Sequence, residues 1–293
     1  MYTPYSTNYD YKKYNNFAIF GHFISAVTMA GLLINKKPVI VPFTETYSSY
    51  IETPINVSCP IGSRSFDTSE GDFCISTVTS PVYCDDDYCY GINIGLLIIS
   101  FHALSFVFQL SAELTNSCGP ILYYKYDDMI ASNKNPLRFI EYSISASIML
   151  IAIAVLNGVT DINLLISIAV LTASCQLCGL AVEFIHERSI KVLLHCIGWL
   201  QFCWAYGIIF HAFFRSISSA NDSGNIGPPS FVYVIVIVLF LLYASFGFVQ
   251  LVEVIQDGDF NRYTKEKCYV VLSLTAKLIL GWMIFSNVLV LSN

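Results

Sequence analysis

The chain has 293 residues, 55% of them apolar and only 12% charged, about half the charged share of a soluble domain, and its mean hydropathy is +0.60. That excludes a soluble globular class and implies an integral membrane protein, for which the lipid bilayer is the first partner. The net charge of −6 reflects acids clustered in loops such as Asp85-Asp86-Asp87, and no basic stripe points to nucleic acid.

Residues 1–16 are polar and tyrosine-rich and lack the zones of a signal peptide, so the first span is expected to stay in the mature chain. Apolar stretches able to cross a ~30 Å hydrocarbon core follow at about 17–35, 92–115, 137–157, 162–185, 189–214, 230–254 and 267–291. All seven should be helices, because a chain in lipid must satisfy its backbone hydrogen bonds internally. The fold class expected is an all-α membrane protein, a seven-transmembrane-helix bundle forming a single domain over 1–293. No internal repeat suggests a transporter built from inverted halves.

Lys and Arg in the connections set the orientation. With the N-terminus inside, the inner segments hold Lys12, Lys13, Lys125, Lys134, Arg138, Arg188, Lys191, Arg262, Lys265 and Lys267, against Lys36, Lys37, Arg64 and Arg215 outside. This bias predicts a cytoplasmic N-terminus and an extracellular C-terminus, in a multi-pass protein expected in a plasma membrane. Residues 37–91, an insertion between the first two helices, then lie outside. They carry Cys59, Cys74, Cys84 and Cys89, which are permitted to oxidise there in any of three pairings. Alternation from Pro38 to Tyr47 predicts a small β-hairpin in this first extracellular loop. The insertion is read either as a passive lid or as a dimerisation surface. Asn56-Val57-Ser58 and Asn221-Asp222-Ser223 match glycosylation acceptors on the same side.

Intramembrane polar residues are the candidates for chemistry. Lys277 is the lone cation near the middle of the last span, and an ammonium at that depth costs at least ~2.5–3.5 kcal/mol, so a partner or a covalent use is expected. Glu141 lies near the inner end of the third span, and His22 and His102 lie in the first and second. Counted from the predicted helix starts, Glu141 and His22 are roughly 7 Å deep and Lys277 roughly 15 Å, a mismatch that tilt and the lysine stem must close. Opposite charge makes Glu141 the counterion candidate. Ser273 shares a helix face with Lys277 and either bonds it or bonds its own i−4 carbonyl. The histidines are read either as proton acceptors or as packing residues.

A lysine in the seventh of seven spans suggests a Schiff base to retinal. The run Asn135-Pro136-Leu137-Arg138-Phe139-Ile140-Glu141-Tyr142-Ser143-Ile144-Ser145-Ala146-Ser147-Ile148-Met149 resembles the third-helix signature of heliorhodopsins, and Ser273-Leu274-Thr275-Ala276-Lys277 with Gly281-Trp282 resembles their retinal-lysine segment. The resemblance implies a light-sensing photoreceptor rather than an enzyme. It implies all-trans retinal on Lys277, Glu141 as sole counterion with Tyr142 beside it, and His22 and His102 in a water-containing cavity with Arg138 nearby. It also implies a homodimer with the first outside loop at its interface, and an output passed to the cytoplasmic loops or to a signalling partner there. A light-gated passive proton conductance is the alternative, with Glu113, Glu183 and Glu253 extending a path from Glu141. A retinal-free receptor or transporter is a more remote one.

The chromophore ring needs an aromatic slot. Trp199, Trp204, Tyr206, Tyr243, Phe246, Phe248 and Trp282 are available, with Trp282 and Phe246 the preferred pair and Gln250 a polar residue expected to face the cavity or to bond a neighbouring helix. Cys175-x-x-Cys178 lacks the second pair of a zinc site and reads as packing, so no metal is expected.

Overall fold

The computed structural model describes residues 10–52, 64–68, 71–82, 84–85, 88–118, 125–223, 227–256 and 261–291. Seven helices in it are long and apolar enough to cross a membrane: α1 (Asp10–Leu33), α2 (Ile94–Cys118), α4 (Pro136–Leu156), α5 (Ile162–Phe184), α6 (Arg188–Ser223), α7 (Ser230–Gln256) and α8 (Arg262–Leu291). The short α3 (Tyr126–Ala131) precedes α4 and is absent from the sequence reading. It is capped from outside itself. Thr115 Oγ1 accepts from the Tyr126 N–H at 2.8 Å and Asn116 Oδ1 from the Asp127 N–H at 3.1 Å, so the end of α2 supplies the start of α3.

Helix starts follow local chemistry. Asn135 precedes Pro136 and accepts from the Arg138 N–H at 3.1 Å, and Asp161 accepts from Asn163 N at 2.9 Å and Leu164 N at 3.2 Å. Asn261 does the same for Tyr263 and Thr264 at the head of α8. The expected spans hold with extensions at polar ends: α1 begins at Asp10 rather than about 17, α8 at Arg262 rather than about 267, and α6 runs on to Ser223. At 36 residues, about 54 Å, α6 overhangs the hydrocarbon layer.

Two helices are interior. In α4, 67% of the most apolar window is buried and in α8 56%, against 28–33% in the other five. The outer helices instead expose large apolar residues such as Phe17, Leu200 and Trp204, as lipid-facing surfaces do. α4 and α8 therefore carry the side chains that must find partners inside the bundle.

The insertion is more elaborate than one hairpin. β2 (Thr44–Glu52), β4 (Gly71–Pro81) and β3 (Arg64–Thr68) form an antiparallel sheet in the order β2-β4-β3, while β5 (Cys84–Asp85) pairs with β6 (Tyr88–Cys89). The run from Pro38 to Tyr47, where a small hairpin is expected, is divided at Phe43 between two sheets: β1 (Ile40–Pro42) pairs with β7 (Gly91–Asn93) and β2 with β4. Only glycine fits at 91, where a Cβ would lie 2.3 Å from the Val41 carbonyl oxygen. Thr44 fastens this region to the α4–α5 turn through its N–H to Thr160 O and a hydroxyl contact to Thr160 Oγ1, both 3.0 Å. Cys74 is buried and disulfide-bonded, whereas Cys59, Asn56 and the side chains of Cys84 and Cys89 lie outside the described residues.

Candidate functional site: a buried lysine–glutamate pair and its slot

Lys277 Nζ lies 2.6 Å from Glu141 Oε1, 2.6 Å from Ser105 Oγ and 3.0 Å from Ser273 Oγ, so each of its three protons has an acceptor. All four residues are buried. The depth mismatch expected from sequence closes because a helical side chain leans toward the N-terminus of its own helix. The lysine stem runs back one turn, to the level of Ser273, and meets a glutamate only five residues into α4. Ser273 is thus bonded to the lysine rather than to its i−4 carbonyl. The Tyr142 ring lies 5.3 Å from the ammonium, and its hydroxyl donates to Tyr269 O at 3.0 Å.

Ser105 is missing from the sequence reading. Its hydroxyl accepts from Lys277 and has two acceptors for its one proton, Glu141 Oε1 at 2.6 Å and Phe101 O at 2.9 Å. A signal for it was present: it follows His102 by three residues and so shares the inward face of α2.

His22 and His102 touch through their Nδ1 atoms at 3.0 Å, while both Nε2 atoms are buried without a protein partner. One Nδ1 must carry a proton and the other must not. His22 is twelve residues from the start of α1, about 18 Å, not the shallow position expected. The pair sits beside Gly281, where a Cβ would come 2.4 Å from His102 Nε2, so this glycine makes room for the imidazole. Both histidines therefore lie on the insertion side of the amine, not on the N-terminal side where Glu141 approaches.

Arg138 belongs elsewhere. It ion-pairs with Glu183 and Glu266, and Lys265 reaches Glu183 at 2.9 Å and Glu253 at 3.0 Å. Tyr126 and Asn135 each donate to Glu266 Oε1 at 3.0 Å. Burial and then the Glu266 charge push the Tyr126 phenol well above its ordinary value, so it stays a neutral donor. This ionic cluster closes the N-terminal end of the bundle, the end where α1 begins. Lys265 and Arg138, counted from sequence as loop cations, are buried members of it. Between the cluster and the lysine pair lies a polar cavity lined by Asn15, Gln109, Arg138, Glu141, Tyr142 and Glu266.

From Lys277 a slot runs between α4 and α7, past Tyr142, Ser145, Ala146, Met149, Tyr243 and Phe246. Gln176, Tyr243 and Phe246 also line a second, neighbouring chamber walled by Trp199 and Phe202 of α6. Phe246 stands edge-on to Tyr142, with ring centroids 5.5 Å apart. Trp282 does not join it. Five residues beyond Lys277 it points about 140° around α8, bonds Ser25 Oγ at 3.3 Å and is 38% exposed. Gln250 lines the far chamber, donating to Gly179 O at 3.0 Å and facing His195 Nδ1 at 3.4 Å. Because Trp199 Nε1–H donates to His195 Nε2 at 2.8 Å, the imidazole proton is on Nδ1 and points at Gln250.

A family model described as heliorhodopsin matches residues 11–289. The chain belongs to the heliorhodopsin family. Among solved structures it is similar to a thermophilic rhodopsin from Rubrobacter xylanophilus, at 14% identity and a TM-score of 0.57, with 94% of this chain and 95% of that chain covered. At that identity the likeness shows the fold, a rhodopsin bundle. No curated protein matches. As a heliorhodopsin the protein is a multi-pass membrane protein of the retinal photoreceptor class, and photoreceptors of this kind are not enzymes in the ordinary sense. The slot suits that chromophore in chemistry: it is aromatic-walled and begins at a buried amine. It also contains Ser145 Oγ, a buried hydroxyl with no protein partner.

Proposed function

We propose that the protein is a light sensor in which all-trans retinal is held on Lys277 as a protonated Schiff base with Glu141 as counterion. The observation that carries this reading is the 2.6 Å contact between Lys277 Nζ and Glu141 Oε1, among the described residues the one lysine–carboxylate pair that opens onto an aromatic slot. The ammonium stands in for the linkage nitrogen, which would keep one proton instead of three. Glu141, the only charged acceptor among its three partners, would take that proton's hydrogen bond, leaving Ser105 and Ser273 to solvate the carboxylate and the nitrogen from either side. Bound retinal supplies light absorption and isomerisation. The chain supplies the rest: Tyr142 and Phe246 fix the slot, Glu141 and Ser105 hold the proton, and the His22–His102 pair offers a second place for one.

The same reading has the N-terminus cytoplasmic and the C-terminus extracellular, a single domain over 1–293 and a plasma-membrane location. The basic bias supports the orientation and keeps its sign when buried Arg138 and Lys265 are left out of the count. A homodimer through the insertion, and a signalling partner at the N-terminal end, follow from the family resemblance. The first test is a visible spectrum of protein expressed with all-trans retinal. A band that disappears in Lys277→Ala and shifts in Glu141→Gln is expected, and no band in folded wild-type protein would end this reading.

One observation favours a second output, a light-gated passive proton conductance. The polar cavity from Glu141 toward the N-terminal cluster gives a proton somewhere to go. Stationary photocurrents in voltage-clamped cells that reverse with the proton gradient would establish it. Their absence in cells showing the visible band would leave the sensor alone.

A further inference from the structure

The N-terminal cluster holds two cations, Arg138 and Lys265, and three carboxylates, Glu183, Glu253 and Glu266, all buried. Arg138 serves Glu183 and Glu266, and Lys265 serves Glu183 and Glu253, so Glu253 and Glu266 each have only a shared cation. Among the described residues, the other titratable or charged groups around the cluster do not alter that balance, and Arg262 is turned to the Ala131 carbonyl. Tyr126 from α3 and Tyr269 from α8 are phenols, His195 of α6 is engaged with Trp199 and Gln250, and Arg188 reaches only the Ile255 carbonyl at the solvent edge. Lys134 sits over the Phe184 ring, and Glu113 on α2 lies toward Tyr11.

Hydrogen bonding separates the two: Glu266 also accepts from Tyr126 and Asn135, whereas Glu253 is left with an open oxygen. Glu253 Oε1 accepts from Lys265 Nζ at 3.0 Å and from Asn133 Nδ2 at 2.8 Å. Glu253 Oε2 and Asn133 Oδ1 are both buried, both acceptors, and both without a donor. Buried acceptors left open are rare because they give up water for nothing. One hydrogen on Glu253 Oε2 removes both defects at once. The acid donates to Asn133 Oδ1 while the amide donates to Oε1, the two-bond ring of a carboxylic acid facing a carboxamide. Asn133 is held for this in a left-handed backbone conformation (φ 59°), which asparagine tolerates better than most residues.

We propose that Glu253 is a carboxylic acid in the resting protein, paired with Asn133, and that the cluster thereby stores one proton at the N-terminal end of the bundle. This site is separate from Lys277, and the test needs neither light nor retinal, so its failure is distinct from failure of the photoreceptor reading.

The experiment compares full-length wild type, Glu253→Gln, Glu183→Gln and Asn133→Leu in the dark, by infrared absorption in H2O and D2O and by thermal melting. Glutamine is the shape of protonated glutamate and restores both bonds as an amide–amide pair. The wild type should show a carboxylic-acid carbonyl band that moves on deuteration. Glu253→Gln should remove that band and melt within a few degrees of wild type, whereas Glu183→Gln should keep the band and melt well below. Asn133→Leu retains the acid and should raise the carbonyl frequency, which keeps a readout if Glu253→Gln folds poorly. A band unchanged in both Glu253→Gln and Asn133→Leu overturns the proposal, as does Glu253→Gln melting as low as Glu183→Gln.

Discussion

The molecule buries two ionic assemblies a few turns apart, and they are built on different rules. At Lys277 there is one cation, one carboxylate and two serine hydroxyls, with a vacant hydroxyl and an aromatic slot alongside. At the N-terminal end, two cations and three carboxylates are tied together by Tyr126, Asn133 and Asn135, with contributions from α3, α4, α5, α7 and α8. The first is minimal, so a change in one proton alters its whole charge balance. The second is redundant, with Arg138, Lys265 and Glu183 each serving two partners, and is suited to holding five elements in register. Buried ions are weak evidence of net stability, but removing one partner from such an arrangement is costly.

That contrast can be broken most decisively at Arg138. Arg138→Gln leaves Glu183 with Lys265 alone and Glu266 with only neutral donors, and should destabilise the fold by about 3–5 kcal/mol, read as a large drop in melting temperature. If the melting temperature hardly moves, the cluster is not the clamp described here. A smaller effect is expected at the first assembly. Ser105→Ala removes a hydrogen bond to a charged pair, about 1.5–3 kcal/mol, and should shift the visible band while the protein still folds. A Ser105→Ala spectrum identical to wild type would make Glu141 and Ser273 sufficient. Trp282→Phe should do least. It loses one long bond to Ser25 on a partly lipid-facing surface, so the absorption band should stay in place and stability should fall by no more than about 1 kcal/mol. A substantial band shift there would put Trp282 back in the slot.

Much of this was legible in the sequence, unevenly. The seven spans, Lys277 and Glu141 stand out because charge is rare in apolar runs, and capping residues such as Asn135 and Asp161 mark helix starts. Ser105 was legible only as a neighbour of His102 on the inward face of α2; that it meets a lysine 172 residues away is a tertiary fact that its local sequence does not carry. Lys265 looked like a solvated loop charge because it falls at a helix head, and Glu266 beside it was not singled out. Their burial depends on α3 and the Asn133 turn folding over them, a tertiary event. Trp282 was misplaced for a simpler reason: proximity in sequence to Lys277 was taken for proximity in space, and five residues is the wrong number of helical steps. The strand division at Phe43 was hidden because alternation continues through it, while the partner of β1 lies far downstream at Gly91–Asn93, beyond the partner of β2 at Gly71–Pro81.

The fastening of the insertion has a mechanical consequence. β1 and β7 tie the end of α1 to the start of α2, and Thr44 stitches the same sheet region to the α4–α5 turn, so four helix ends share one brace. A bundle braced at one end behaves as a set of levers with a common fulcrum. Under the light-sensor proposal, strain released beside Lys277 would find little give toward the brace and would be steered to the opposite end, where charges rather than strands hold the helices together.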